Sequence, residues 1–356
     1  MRPPARRALQ TLVLLLLGVV VLAVTVSFFG TDEVLRQLAA ADRRLLGWAA
    51  LVFFTQFFTM GLRWWLTLRL LGHRVPFVSI LRANAGSNFL NFFAPGHFGE
   101  PAMAAWLGRT GRADGVEAFS ALVGAKVLAT IMSFMVLIAC VPLLYARTDS
   151  SWLLQVGGTA TALGIGTLIA LVILLRPAVA SWGARLAGRI VRRAFGALRP
   201  DLGDTAAERV EGVLLRIRDR LATFATHPGA LLGAASISAL KVGSQILFVV
   251  LLFRAFGHEL TVAGATFLVT VDVLQNAVSI WIPANLGVQE ALITAAATGG
   301  LDVLGPLAAS AALAQKGILL VHIGLGGLAF VVLRWIEPTP PPPPGESSST
   351  PPLHPR

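Results

Sequence analysis

The chain has 356 residues, 55% of them hydrophobic and only 13% charged, where a soluble globular protein carries about 25% charged. That balance excludes a soluble domain and identifies an all-α polytopic membrane protein. The net charge is +11, but the charges flank apolar stretches and read as topology signals, so no nucleic-acid partner is expected. One cysteine, Cys140, excludes an intrachain disulfide, and six histidines without ligand spacing give no metal or cofactor signal.

In chain order, the first apolar stretch covers about residues 9–29. Its core runs about 19 residues with no small-residue cleavage site after it, so it is expected as a retained signal-anchor helix. Further stretches at 45–62, 118–145, 152–175, 229–253 and 305–333 are each long enough to cross a hydrocarbon core of about 30 Å at 1.5 Å per residue. These give about six full transmembrane helices. Between the second and last stretches lie two regions, 82–108 and 262–300, that are apolar but broken.

The two broken regions carry the same punctuation. The first reads Asn91-Phe92-Phe93-Ala94-Pro95-Gly96-His97-Phe98-Gly99-Glu100, and the second Ile282-Pro283-Ala284-Asn285-Leu286-Gly287-Val288-Gln289-Glu290. Each has Pro, Gly four residues on, and Glu within three more. In each half a lysine follows 26 residues after the glutamate, Lys126 after Glu100 and Lys316 after Glu290. Broken helices at corresponding positions of two halves are the mark of a transporter built from internal repeats. Either each region is a re-entrant hairpin of two short helices, or its helices span fully.

Charge arbitrates between these readings. With the N-terminus inside and both regions re-entrant, Arg2, Arg6 and Arg7, the Arg63/Arg69/Arg74/Arg82 group and the Arg-rich segment 176–226 bring the inside to +12, against −1 for the outer loops. The first hairpin then enters from the cytoplasm and the second from outside, an inverted repeat. Half one covers about 45–175 and half two about 229–335. Both termini are expected in the cytoplasm, and the protein in the cell membrane.

The segment 176–226 is expected as cytoplasmic. Thr205-Ala206-Ala207-Glu208 has the form of a capping box, and the helix after it, like the stretch from Trp182 to Arg199, is basic and amphipathic. Both suit contact with anionic membrane lipids, or a linker obeying the charge rule. The tail 338–356 is Pro-rich and expected to be disordered.

All three lysines, Lys126, Lys241 and Lys316, fall inside predicted spans, with three acids at the same depth: Glu100, Asp272 and Glu290. At about 2.5–3.5 kcal/mol each at a bilayer centre, these six groups must pair or line a wet cavity. One reading makes them a headgroup site in which the lysines hold a phosphate; the other makes them structural ion pairs. Glu100 and Glu290 also fit as helix caps. Asp272, with Gln275 and Asn276 after it, also fits as a group satisfying backbone freed by the break. Asn84, Asn88 and Asn91 share one face as polar glue. His322, in the last span, is either a proton carrier or a hydrogen-bonded core histidine.

At these motifs the chain resembles the lysylphosphatidylglycerol synthase transmembrane-region family, also called the flippase-like domain family. Asn91, Pro95, Gly99 and Glu100 match its first break and Pro283, Gly287 and Glu290 its second, and the resemblance covers about residues 9–335. Family members often have Arg where this chain has His97, Met103, Gln289 and Lys316. The resemblance implies lipid translocation without the soluble aminoacyl-transfer domain, so the chain is not expected to be an enzyme. The expected function is a flippase for a phosphate-bearing lipid, a phospholipid or polyprenyl phosphate. The substrate-binding set is Asn91, Pro95, Gly99, Glu100, Lys126, Lys241, Asp272, Pro283, Asn285, Gly287, Glu290 and Lys316. The alternatives are a non-transporting partner of a membrane glycosyltransferase and, with only short outer loops to hold acids, an integral-membrane lipid or glycosyl transferase.

Overall fold

The structure is a computed structural model that describes residues 19–93, 98–145, 176–196, 200–278 and 285–337, with scattered positions elsewhere. The described regular structure is helical: α1 (Val19–Phe28), α2 (Thr31–Ala40), α3 (Arg43–Leu70), α4 (Phe77–Phe93), α5 (Gly99–Arg109), α6 (Gly115–Tyr145), α7 (Pro177–Gly196), α8 (Pro200–Ala225), α9 (Pro228–Ala255), α10 (Val262–Val278), α11 (Val288–Leu301) and α12 (Gly305–Val332). Four of them, α3, α6, α9 and α12, carry segments long and apolar enough to cross a membrane. Of the expected span at 9–29, the described part is chiefly α1, while the span at 152–175 lies largely outside the described residues, as do Pro95, Pro283 and the tail 338–356.

Helix lengths repeat. The helices α3 and α9 have 28 residues each and α4 and α10 have 17 each. A short helix then follows, α5 or α11, and a long one, α6 or α12. Within this frame α3 and α9 lie antiparallel. Asp42 N–H donates to Ala255 O at 2.8 Å, the Phe53 and Phe248 rings sit 4.9 Å apart, and Leu66 lies against Gly233. The helix α12 runs parallel to α3, since its start joins the cluster around Ala41 and Ala255 and its end packs with Phe57 and Leu81.

Both broken regions fold back on themselves. In the first, Gly99 lies against Ser87 and Asn91, Met103 reaches Gly86, and Arg112 donates to Ser79 Oγ at 2.7 Å. The arms α4 and α5 are therefore antiparallel and their outer ends meet. In the second, Gln289 bonds Asp272 and Gly264 meets Leu301, which gives α10 and α11 the same form. The base of the first hairpin sits by the C-terminal ends of α3 and α12, where Arg82 donates to Phe330 O and ion-pairs with Glu337. The base of the second sits at their N-terminal ends, with Val303 and Leu307. The two hairpins thus enter the bundle from opposite ends.

One expectation is corrected. Thr205 is not a helix cap, because α8 already begins at Pro200 and runs through it. The amphipathic helices α7 and α8 pack against each other, and α8 also leans on α6. Their apolar faces therefore cover one another in part, while Trp182 and Ile190 remain exposed.

Closure of the first hairpin depends on a bare backbone at Gly99, where an added Cβ would lie 2.3 Å from Ser87 O. Overpacking of this kind costs about 1–3 kcal/mol. Gly99→Ala should lower the thermal midpoint of the detergent-solubilised protein. Gly243→Ala, whose Cβ meets nothing within 4 Å, should hold or raise it; equal midpoints for the two variants would refute the close approach.

Candidate functional site

In half one, Asn91 at the end of α4 organises the break. Its Oδ1 accepts the Gly99 N–H at 2.7 Å, satisfying one of the free donors at the start of α5. Its Nδ2 donates to Glu100 Oε1 at 3.2 Å. Glu100 in turn ion-pairs with Lys126 of α6. Glu100 is therefore more than a cap: the capping is done by Asn91, and the carboxylate is turned toward the next long helix. The pair is open on one side, with the Lys126 side chain 39% exposed.

Half two builds a longer and drier chain. The Gln289 amide donates to Asp272 Oδ1 at 2.6 Å and accepts from Lys316 Nζ at 2.7 Å. The same ammonium lies 3.1 Å from Glu290 Oε1, with the two side chains 5% and 2% exposed. Asp272 thus bridges the two arms of its hairpin through Gln289, and Lys316 ties that hairpin to α12. No side-chain cap closes the start of α11. The turn into it uses positive φ at Asn285 (51°) and Gly287 (79°), left-handed backbone that Asn and Gly tolerate.

The lysines do not converge on one point. Lys126 and Lys316 each join the glutamate of their own half. Lys241 on α9 stands between them, reaching Gln245 Oε1 only at 3.4 Å and lying within electrostatic range of Arg63, Asp272 and Lys126. Asp272 likewise feels Lys241, Lys316 and Glu290. The six expected charges therefore form one continuous line across the bundle. Pro95 and Pro283 lie outside the described residues. Asn84 is glue, donating to Phe57 O at 3.0 Å.

Arg63 and Gln289 are the residues that sequence reasoning missed. Arg63 was counted among the loop charges because the apolar stretch before it ends at 62. It lies inside α3 and is 3% exposed. Its Nε and Nη1 have no hydrogen-bond partner among the described residues. The available signal was its place between Leu62 and Trp64-Trp65 in a helix that continues to Leu70. Gln289 stands in the sequence reading only as a position where family members often have Arg. A small cavity of about 30 Å³, mostly apolar but bordered by Gln56, Gln245, Asp272 and Gln315, has room for a water or two.

The chain matches the lysylphosphatidylglycerol synthase TM region family over residues 11–327, and it belongs to that family. Comparison with curated proteins and with solved structures finds no match. Family and helices together make it a multi-pass membrane protein with a lipid-related role.

The two lysines should respond differently to loss of charge. Lys316→Met leaves Glu290 buried and unpaired, a change that costs about 3–5 kcal/mol, so the variant should fail to accumulate. Adding Glu290→Gln should restore its level. Lys126→Met should accumulate normally, since Glu100 keeps the Asn91 amide and access to water. Yields of purified monodisperse protein check this; equal loss in both single variants would mean the two halves are equally sealed.

Proposed function

We propose that this protein is a transporter, not an enzyme, that moves a phosphate-bearing lipid across the membrane through a path along its interior charges. The observation that carries the reading is Arg63. A buried guanidinium whose Nε and Nη1 have no partner among the described residues is costly, and its planar fork suits a phosphate. With Lys126 and Lys241 it makes a region holding three cations against Glu100, while Asp272, Glu290 and Lys316 leave the other half with an acidic excess.

Helix rise supports a position inside the bilayer. The 28 residues of α3 extend about 42 Å, more than the hydrocarbon core of about 30 Å, and Arg63 lies about 10 Å from the C-terminal end. On this reading α4–α5 and α10–α11 are re-entrant hairpins in an inverted repeat, one entering from each side. Non-helical backbone at their tips is tolerated at that depth where it faces protein or a wet path. The positive-inside pattern puts the Arg63 end and the termini on the cytoplasmic side.

Two measurements test this. The first is flipping of acyl-labelled phosphatidylglycerol, phosphatidic acid and undecaprenyl phosphate in reconstituted vesicles. Arg63→Met should cut the rate of the preferred lipid at least tenfold while protein stability holds or rises, because an unpaired buried charge is removed. Undiminished flipping by Arg63→Met would sink the phosphate reading. The second is cysteine accessibility on a Cys140→Ser background. Arg109→Cys and Asp302→Cys, at the two hairpin bases and both exposed, should label from opposite faces; labelling from one face would end the inverted arrangement.

A further inference from the structure

His322 occupies a place that the charge line does not use. It lies on α12 with its ring edge-on to Phe53, Phe54 and Phe57 at 5.2, 5.6 and 5.9 Å. Its Nδ1 is buried and has no hydrogen-bond partner among the described residues. It lines a groove of about 380 Å³ between α3 and α12, otherwise apolar, whose walls include Leu46, Ala50, Phe54, Gly317 and Leu325. On the inner side Phe53, in contact with the His322 ring, also lines the small, mostly apolar cavity that Gln56 and Asp272 border. Phe53 and His322 therefore stand between a face turned to the bilayer and the interior charges.

Depth decides what the groove holds. His322 lies about 5 Å from the mid-point of α12 by helix rise. Lipid at rest in the bilayer offers only hydrocarbon there, which leaves the imidazole unsatisfied at a cost. A lipid's ester carbonyl or hydroxyl reaches that depth only while its headgroup is displaced into the bundle.

Building on the transport reading above, we infer that the α3–α12 groove is the lateral entrance of the path. It holds one alkyl chain of a glycerophospholipid, with His322 bonding the chain's ester linkage while the headgroup passes Phe53 toward Arg63 and Lys241.

The test uses phosphatidylglycerol with a mid-chain diazirine in phosphatidylcholine vesicles holding the full-length protein, with cross-links mapped by mass spectrometry. Labels should concentrate on the 46–54 and 314–325 peptides. Gly317→Leu adds bulk to the groove at a site where a Cβ meets nothing within 4 Å, and it should lower both the groove labelling and the flipping of acyl-labelled phosphatidylglycerol at least tenfold. His322→Phe keeps the ring packing and should retain the labelling but slow flipping about tenfold. Arg63→Met should retain the labelling.

Labels spread evenly over the exposed face of α9, at Leu240 and Leu247, or labelling unchanged in Gly317→Leu, would overturn the entrance. So would a stoichiometric membrane protein that co-purifies with the wild type and is displaced by Gly317→Leu, since the groove would then be a protein interface. Flipping at the wild-type rate in His322→Phe would overturn the role of the histidine. Concentrated labelling in a wild type that flips none of the tested lipids would support the groove and overturn the transport reading alone.

Discussion

The ion pair of Lys316 and Glu290, two side chains 5% and 2% exposed, is the contact on which the rest of the arrangement depends. Neither group is tolerable alone in the interior of a membrane protein. The pair therefore holds the tip of the second hairpin against α12, and the hairpin cannot leave without exposing a charge to hydrocarbon. Gln289 extends the same bond to Asp272, which locks the two arms of the hairpin together. On the re-entrant reading, a break in a helix leaves backbone groups that must be satisfied within the membrane. A charged clasp beside each break turns that weakness into a fixed position.

The two halves use one plan with different tightness. Both place a glutamate in the first turn of the short helix after the break and a lysine on the next long helix. Half one exposes its lysine and spends an asparagine, Asn91, on capping the helix. Half two seals its lysine and adds a glutamine bridge. The base of half one is closed instead at its outer end, where Glu337 meets both Arg82 and Arg112 and Arg82 stacks on Trp106 and Phe330. One hairpin is thus clamped at the tip and the other chiefly at the base, so their tips are not equivalent in freedom to move.

Much of this was legible in the sequence because it is encoded locally. Pro/Gly breaks, glutamates at a fixed offset and lysines isolated in apolar runs need no three-dimensional information, and they marked the two broken regions and, as one of two readings, the Glu–Lys pairing. Arg63 was not legible for a physical reason. Hydropathy cannot separate an arginine that ends a span from one that sits inside a longer helix, since both follow an apolar stretch; only the continuation to Leu70 and the packing of α9 across it bury the side chain. Gln289 was hidden similarly, because an amide's value lies in which two partners it bridges. The failed cap at Thr205 has the opposite cause: a correct local motif was overridden by a helix already started at Pro200.

Charge asymmetry gives the arrangement a direction. Arg63, Lys126 and Lys241 cluster toward the end of α3 that carries the first hairpin base, while Asp272 and Glu290 lie toward the other end with one lysine between them. Fixed charges in a poorly hydrated interior act over longer distances than they do in water. On the proposed transport reading, an anionic headgroup at mid-depth is drawn to one end of this charge line and repelled from the other. A symmetric pair of hairpins would offer equal wells on both sides. Half two seals its lysine beside a glutamine bridge where half one leaves its lysine open, and that difference removes the symmetry.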